Sequence, residues 1–260
     1  MKNKVFLSVV APAYNEQDGI FNVVTSWTSW LEKNEPNYEI IICDDGSTDN
    51  TWQILEQLSN NNRKIKCIKL KKNYGAAIAH SIALLNSTGE WILMIDSDGQ
   101  FNIEDFSKLY AKHLETGAKA VIGQRKSKKN NILAKIGSAL STFAANVVLG
   151  SDLKDFNSVF KLIDGKIARD LSLDSVGFEI STETTAKLIE QKVSIAAVEI
   201  QHNNRSHGKS KLKFFKDARR RYLFIKYLYI RSKLIKKNII RNNQNYKNDI
   251  LKGKNWVYEQ

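Results

Sequence analysis

Apolar runs recur along the first half of the chain and alternate with longer amphipathic stretches, and this rhythm restricts the fold more than any single motif does. VFLSVVAP, YEIIICDD, IKCIKL, WILMIDSD and KAVIGQ have the composition of strands 1 to 5. The segments between them, beginning near Gln17, Asp49, Gly75 and Asn102, carry helical spacing. A β-α-β-α order of this kind predicts a Rossmann-like, mostly parallel central sheet flanked by helices. In such sheets ligands bind outside the carboxyl ends of the strands. Three strands end there in polar clusters: Pro12-Ala13-Tyr14-Asn15-Glu16 after strand 1, Asp44-Asp45-Gly46-Ser47-Thr48-Asp49 after strand 2, and Asp96-Ser97-Asp98-Gly99-Gln100 after strand 4. All three are expected on one edge of the sheet.

Beyond residue 125 the rhythm is less regular. A helix near 132–149, a strand near Val159 to Ile163, a helix from about Ser181 to Gln191 and a strand at Ile195 to Ile200 are expected. From Lys211 the chain reads as a basic helix followed by an Asn/Lys-rich tail, with no internal repeat and no Pro-rich linker.

With 260 residues, 42% of them hydrophobic, the chain can bury one large core. Cys43 and Cys67 lie in apolar runs without metal-ligand spacing, which makes them small buried residues of a reducing compartment. The opening MKNKVFLSVVAPAYNE imitates a secretion signal, but its apolar stretch is short and reads as the first strand. No uncharged stretch approaches the roughly 18 to 20 residues of a membrane span, so a soluble or peripheral protein is expected. A net charge of +13 calls for an anionic partner, and the excess concentrates between Arg205 and Arg241, where Asp217 is the single acid. A basic nucleic-acid-binding protein would explain the charge, but no nucleic-acid recognition module accompanies it.

Two clusters carry chemistry. In DDGSTD an Asp carboxylate can accept from a base N–H while the following helix presents its N-terminus; the same residues also suit a plain turn and helix start. At the end of strand 4, Asp96, Asp98 and Gln100 are hard oxygen donors suited to Mg²⁺ or Mn²⁺, with water and a diphosphate completing the shell. Such a metal would neutralise charge on a departing nucleoside diphosphate. A solvated turn is the alternative. Phosphatases with an Asp-x-Asp nucleophile place it on the first strand, whereas here it follows the fourth.

In order, VVAPAYNE, IIICDDGSTDNT and KNYGAAIAHSIALLNSTGEWILMIDSDGQ closely resemble family 2 glycosyltransferases of the GT-A fold over about the first 125 residues. Continuing through Gly123-Gln124-Arg125, the stretch Asp155 to Lys161 and the stretch Arg205 to Lys211, the chain is similar to the dolichol-phosphate mannosyltransferase branch. The resemblance implies a GT-A domain over residues 1–211, with a nucleotide half to about 125 and an acceptor half from 126, followed by the basic helix and tail at 212–260. It also implies metal-dependent, inverting transfer of a hexose from a UDP- or GDP-sugar to a polyprenyl phosphate. Pro12, Tyr14, Glu16, Asp44, Asp45 and Asp96 would meet the nucleotide, and Asp96, Asp98 and Gln100 the metal and diphosphate. Arg125, Lys135, Ser138, Arg205 and Lys211 would bind acceptor or donor phosphates, with Asp98 and Arg205 acting in catalysis.

If the acceptor were instead a sugar hydroxyl in surface-polysaccharide synthesis, a general base would be needed, for which Glu179 and Glu183 are the candidates. The chain departs from the family pattern at Val159, where Gly is usual, and at Ala139, where Arg is usual and Lys135 is the nearest basic residue. Toward the C-terminus Phe214, Ala218, Tyr222, Ile225 and Tyr229 recur at helical spacing against Lys213, Lys216, Arg219, Arg220 and Lys226. That pattern fits an anionic membrane surface on the cytoplasmic side, or else docking on the domain itself, on a second copy or on a separate membrane subunit.

Overall fold

The computed structural model describes residues 4–35, 37–126, 142–171, 173, 175, 179–203 and, near the C-terminus, 223, 224, 226, 227, 229–231 and 233. Its elements are β1 (Leu7–Ala13), α1 (Ile20–Asn34), β2 (Tyr38–Asp44), α2 (Thr51–Asn61), β3 (Ile65–Lys69), α3 (Ala76–Leu85), β4 (Trp91–Met94), α4 (Phe106–Thr116) and β5 (Ala120–Arg125). A helical stretch at 142–149, α5, follows. After it come β6 (Lys161–Asp164), α6 (Gly165–Asp170), α7 (Ile180–Glu190) and β7 (Ile195–Ile200).

The seven strands form one sheet in the order β3-β2-β1-β4-β6-β5-β7. β3, β2, β1 and β4 run parallel, as do β5 and β7, while β6 is antiparallel to both its neighbours. The sheet is thus mostly parallel, as the sequence rhythm predicts. β1 and β2 are buried along their whole lengths, which is why both read as unbroken apolar runs.

Each helix covers the sheet according to its sequence. In α1, Ile20, Val24, Trp27 and Leu31 form one buried stripe at i, i+4, i+7 and i+11 spacing. α3 is buried from Ala77 to Leu84, and its run of alanines allows close packing on β1 and β2. α4 packs on β5, β6 and β7. No helix among the described residues is long and apolar enough to cross a membrane.

The register fixes where the polar clusters emerge. Ala13 pairs with Asp44 and Val10 with Met94, so β1, β2 and β4 release their polar ends along one edge. On β6, Lys161 pairs with Met94 of β4 and Ile122 of β5, which brings the start of β6 beside the exit of β4. The expected strand near Val159 to Ile163 is thus displaced to Lys161–Asp164. Of the helix expected near 132–149, only 142–149 falls within the described residues, and it is helical there. Most of the expected basic helix lies outside them, including Phe214, Ala218, Tyr222 and Ile225; its described residues between 223 and 233 are helical.

Candidate functional site

Three loops at the carboxyl edge are laced together by side chains of the polar clusters. Asp44, fully buried at the end of β2, accepts from the Ser47 backbone N–H at 3.2 Å and from the Ser47 hydroxyl. Burial pushes its carboxyl pKa up, against the lowering effect of those Ser47 bonds. Asn15, at φ 50°, donates its N–H to Ser47 Oγ at 2.9 Å and accepts from Thr48 N–H at 2.9 Å. Glu16 N–H donates to Thr51 Oγ1 at 2.8 Å. Asp45 reaches the β3–α3 loop, accepting from Tyr74 N–H at 2.7 Å and Gly75 N–H at 2.9 Å. Directly after these two acids Gly46 sits at φ +67°, where a Cβ would stand 2.3 Å from the Lys72 carbonyl carbon. Only glycine fits so close to that backbone. Asp44 and Asp45 therefore hold these loops together.

The Asp96-Ser97-Asp98 turn is anchored by its middle residue. Ser97 Oγ donates to the Pro12 carbonyl at 2.7 Å, tying the β4 exit to β1 and leaving the flanking acids on either side. The Asp96 side chain is 41% exposed, and its Oδ1 lies 3.8 Å from Nε2 of the buried His80. Asp98 Oδ1 accepts the Gln100 N–H at 3.1 Å. Gln100 is held to the segment after β7, its Nε2 donating to the Asn203 carbonyl at 3.2 Å and its own carbonyl accepting from Asn203 N–H at 2.8 Å. A cleft of about 250 Å³ opens here, lined by Glu16, Asn22, Trp27, Asp98, Asn102 and Asn203 among others.

Among the described residues no group of three or more His, Cys, Asp or Glu side chains gathers to hold a metal. The turn offers two half-buried carboxylates and an amide, a hard-oxygen set that suits Mg²⁺ or Mn²⁺ sharing its shell with water and a diphosphate. The residues present fit such an ion.

Beside this turn lies a second charged cluster. Arg125 grips Asp155 with both nitrogens, Nε to Oδ2 at 2.7 Å and Nη2 to Oδ1 at 3.0 Å. Burial opposes the Asp155 charge, but the Arg125 guanidinium outweighs it and holds the carboxyl below its ordinary range. Lys161 is fully buried beside this pair, with Nζ donating to the Ser158 carbonyl. Burial pushes its pKa down to about 7, with Asp155 and Asp96 opposing that shift. Among the described residues the buried Ser158 hydroxyl has no hydrogen-bond partner.

The other predicted residues are distributed unevenly. Pro12, Tyr14 and Glu16 stand at the exit of β1, with Pro12 buried and the other two partly so. Glu183, expected as a general base, lies fully inside α7, 3.3 Å from the buried Lys187 ammonium and accepting the Ser175 N–H at 2.9 Å. The geometry makes it a structural partner of Lys187, a charge committed to the core. Glu179, at the start of α7, is 9% exposed. Lys135, Ser138, Arg205 and Lys211 fall outside the described residues. Sequence reasoning missed His80 and Lys161. Each interrupts an apolar run, His80 beside Ser81 in IAHSIAL and Lys161 in VFKLI, and that interruption was the available signal.

The model of the family described as glycosyl transferase family 2 matches residues 8–171. A dolichyl-phosphate beta-glucosyltransferase of Trichomonas vaginalis is 35% identical over 115 residues, covering 42% of this chain and 34% of that protein. A Bacillus subtilis protein assigned to teichuronic acid biosynthesis as a glycosyltransferase is 36% identical over 105 residues, covering 40% of each. The chain thus matches well under half the length of these relatives. Among solved structures, mannosyl-3-phosphoglycerate synthase from Rubrobacter xylanophilus superposes with a TM-score of 0.67 at 15% identity, over 91% of this chain and 76% of that one. Glucosyl-3-phosphoglycerate synthase from Mycobacterium tuberculosis, solved with Mn²⁺, UDP and glucosyl-3-phosphoglycerate, superposes with a TM-score of 0.61 at 18% identity, over 89% and 79%. At this identity the likeness establishes the fold, which is the GT-A fold expected from the motifs.

Proposed function

The chain belongs to glycosyl transferase family 2, and from that premise we propose that it moves a hexose from a UDP- or GDP-sugar to a polyprenyl phosphate. The reading rests most heavily on Asp96 and Asp98 at the β4 exit, half-buried on either side of an anchored serine and beside three interlocked loops. In it, Pro12, Tyr14, Glu16, Asp44 and Asp45 surround the base and ribose. Asp96, Asp98 and Gln100 hold Mg²⁺ or Mn²⁺, which when bound supplies Lewis-acid stabilisation of the departing diphosphate. The Mn²⁺ and UDP in the Mycobacterium tuberculosis structure support this assignment.

A polyprenyl phosphate oxygen is already anionic at neutral pH. It forms a bond to the anomeric carbon as that carbon's bond to the diphosphate breaks, with inversion and without a proton to remove. The chain's task is then to align the two phosphates, for which Arg125, Lys135, Ser138, Arg205 and Lys211 are proposed. Two observations support the absence of a base: Glu183 is committed to Lys187, and one relative carries the name dolichyl-phosphate beta-glucosyltransferase. The Bacillus subtilis relative favours a second reading, transfer to a sugar hydroxyl in cell-surface polysaccharide synthesis, in which Glu179 is the better placed base.

The reading sets the protein peripherally at the cytoplasmic face of an anionic membrane. Leu223, Tyr227, Tyr229 and Ile230 are exposed, with the Lys233 ammonium 4.4 Å from the Tyr229 ring centroid. Apolar side chains beside exposed lysines suit an anionic lipid interface. Arg231 ties this segment to Glu190 of α7 at 3.1 Å.

The test is to offer UDP- and GDP-hexoses with Mn²⁺ or chelator, with and without polyprenyl phosphate, and to follow label into lipid extract. Metal-dependent labelled lipid is expected. Transfer only to a soluble saccharide would favour the second reading, and transfer indifferent to chelator would contradict the metal assignment.

A further inference from the structure

In the buried span of α3, otherwise alanine, isoleucine and leucine, His80 and Ser81 are the polar residues, and the Ser81 hydroxyl is satisfied by the Ala77 carbonyl at 2.7 Å. His80 is 1% exposed, and among the described residues neither ring nitrogen has a hydrogen-bond partner. An unpartnered buried imidazole costs folding free energy that a leucine at the same place would not, so packing alone does not account for it. What the ring does face is the donor turn, for Nε2 stands 3.8 Å from Asp96 Oδ1, too far for a hydrogen bond and close enough that a small rotation of the carboxylate would make one. Among the described residues Asp96 accepts no other hydrogen bond.

We infer that His80 is a positioning residue for Asp96, donating from Nε2 to Oδ1 when the donor site is filled and leaving Oδ2 to the divalent cation. The inference rests on the donor-site reading given above. The neutral ring suffices for this role. A lone pair at Nε2 would face the carboxylate oxygen and be repelled, so Asp96 selects the tautomer that carries hydrogen there. A carboxylate with one oxygen held by a buried N–H loses rotational freedom, and the other oxygen is presented in one orientation. His80 sits on a helix packed against β1 and β2, so the constraint is transmitted from the core and not from a loop.

The test uses the full chain with three substitutions, His80→Leu, His80→Gln and His80→Asn, titrated with UDP and with GDP in the presence of Mn²⁺ and in the presence of chelator. Gln extends an N–H donor to about the reach of Nε2, whereas Asn falls short and Leu has none. Expected for His80→Leu is an unchanged or higher thermal midpoint together with about tenfold weaker Mn²⁺-dependent nucleotide binding. Affinity in chelator should stay as in the parent, and His80→Gln should recover most of the loss. A purely structural histidine would move the midpoint and leave the metal-dependent difference alone. Should His80→Leu not fold, the Gln and Asn variants decide: equal affinities in these two overturn the inference. Parent-like metal-dependent binding by His80→Leu also overturns it while leaving the donor site intact. Absence of Mn²⁺-dependent binding in the parent chain overturns the donor-site reading itself.

Discussion

Glu39 and Asp96 are carboxylates at opposite ends of the same sheet, and their surroundings differ in every respect that matters. At the amino edge, Glu39 is 4% exposed and accepts from Ser8 Oγ at 2.7 Å, Thr88 N–H at 2.6 Å and Thr88 Oγ1 at 2.8 Å, with Lys66 Nζ at 2.5 Å. Burial alone would raise its pKa, but Lys66 and the hydroxyl and amide donors together hold it below the ordinary 4.5. At the carboxyl edge, Asp96 is 41% exposed, with a histidine at 3.8 Å that does not bond it. An acid whose partners all come from the protein maintains the fold. One left half-exposed beside an anchored turn is available to a ligand, and this contrast separates the acids of the chain more sharply than their positions in the sequence do.

Substitutions at the two edges should therefore fail in different ways. The largest effect is expected for Asp98→Ala, with metal-dependent transfer or nucleotide binding lowered about a thousandfold and the thermal midpoint nearly unchanged. Glu39→Ala should do the reverse, costing about 3 kcal/mol in denaturant unfolding because Ser8 and Thr88 lose their acceptor, while the folded protein binds nucleotide normally. The pH dependence follows from the sign of the Glu39 shift. Its folded pKa lies below the unfolded value, so its stabilisation is present above about 4.5 and lost as pH falls through the folded value. Glu39→Gln should flatten that acid limb in urea melts at stepped pH.

Lys161 is a third case, a buried cation at the functional edge with only part of its charge compensated. Its folded pKa of about 7 lies below the 10.5 of the unfolded chain, so the unfolded state binds more protons between these values. Stability should rise with pH across that window, and below about 7 the full burial cost remains. Lys161→Met is expected to be more stable than the parent by about 2 kcal/mol at pH 6, with the gap closing toward pH 10 in the same unfolding series. A smaller loss, about 1 to 2 kcal/mol, is expected for Gly46→Ala, through its φ of +67° and its contact with the Lys72 backbone.

The sequence rhythm anticipated β1 to β5 and placed β7 at the residues observed; β1, β2 and β4, buried along their whole lengths, had to be apolar nearly throughout. The polar clusters were legible for a related reason, since acids at the end of a buried strand need either solvent or donors such as those Ser47 gives the buried Asp44. Strand direction was not legible. KLID carries no mark of running antiparallel between β4 and β5, and that insertion is what buries Lys161 beside the Asp96-Ser97-Asp98 turn. That Asp45 also holds the β3–α3 loop was not legible, because its hydrogen-bond partners, Tyr74 and Gly75, lie some thirty residues away. The burial of Glu183 was not legible either, for FEISTET carries no mark that Ile180 to Leu188 lie in the core, where Glu183 pairs with the buried Lys187.

The central claim is that Asp96 and Asp98 hold a divalent ion and the donor diphosphate. Crystals grown with Mn²⁺ and UDP or GDP, measured for the anomalous signal of manganese, test it most directly. The account predicts one strong peak at the β4 exit, bonded to an Asp98 carboxylate oxygen and to the diphosphate, with the base lying among the loops of Tyr14 and Asp45. Manganese absent from that turn while nucleotide is bound, or nucleotide bound away from it, would contradict the account.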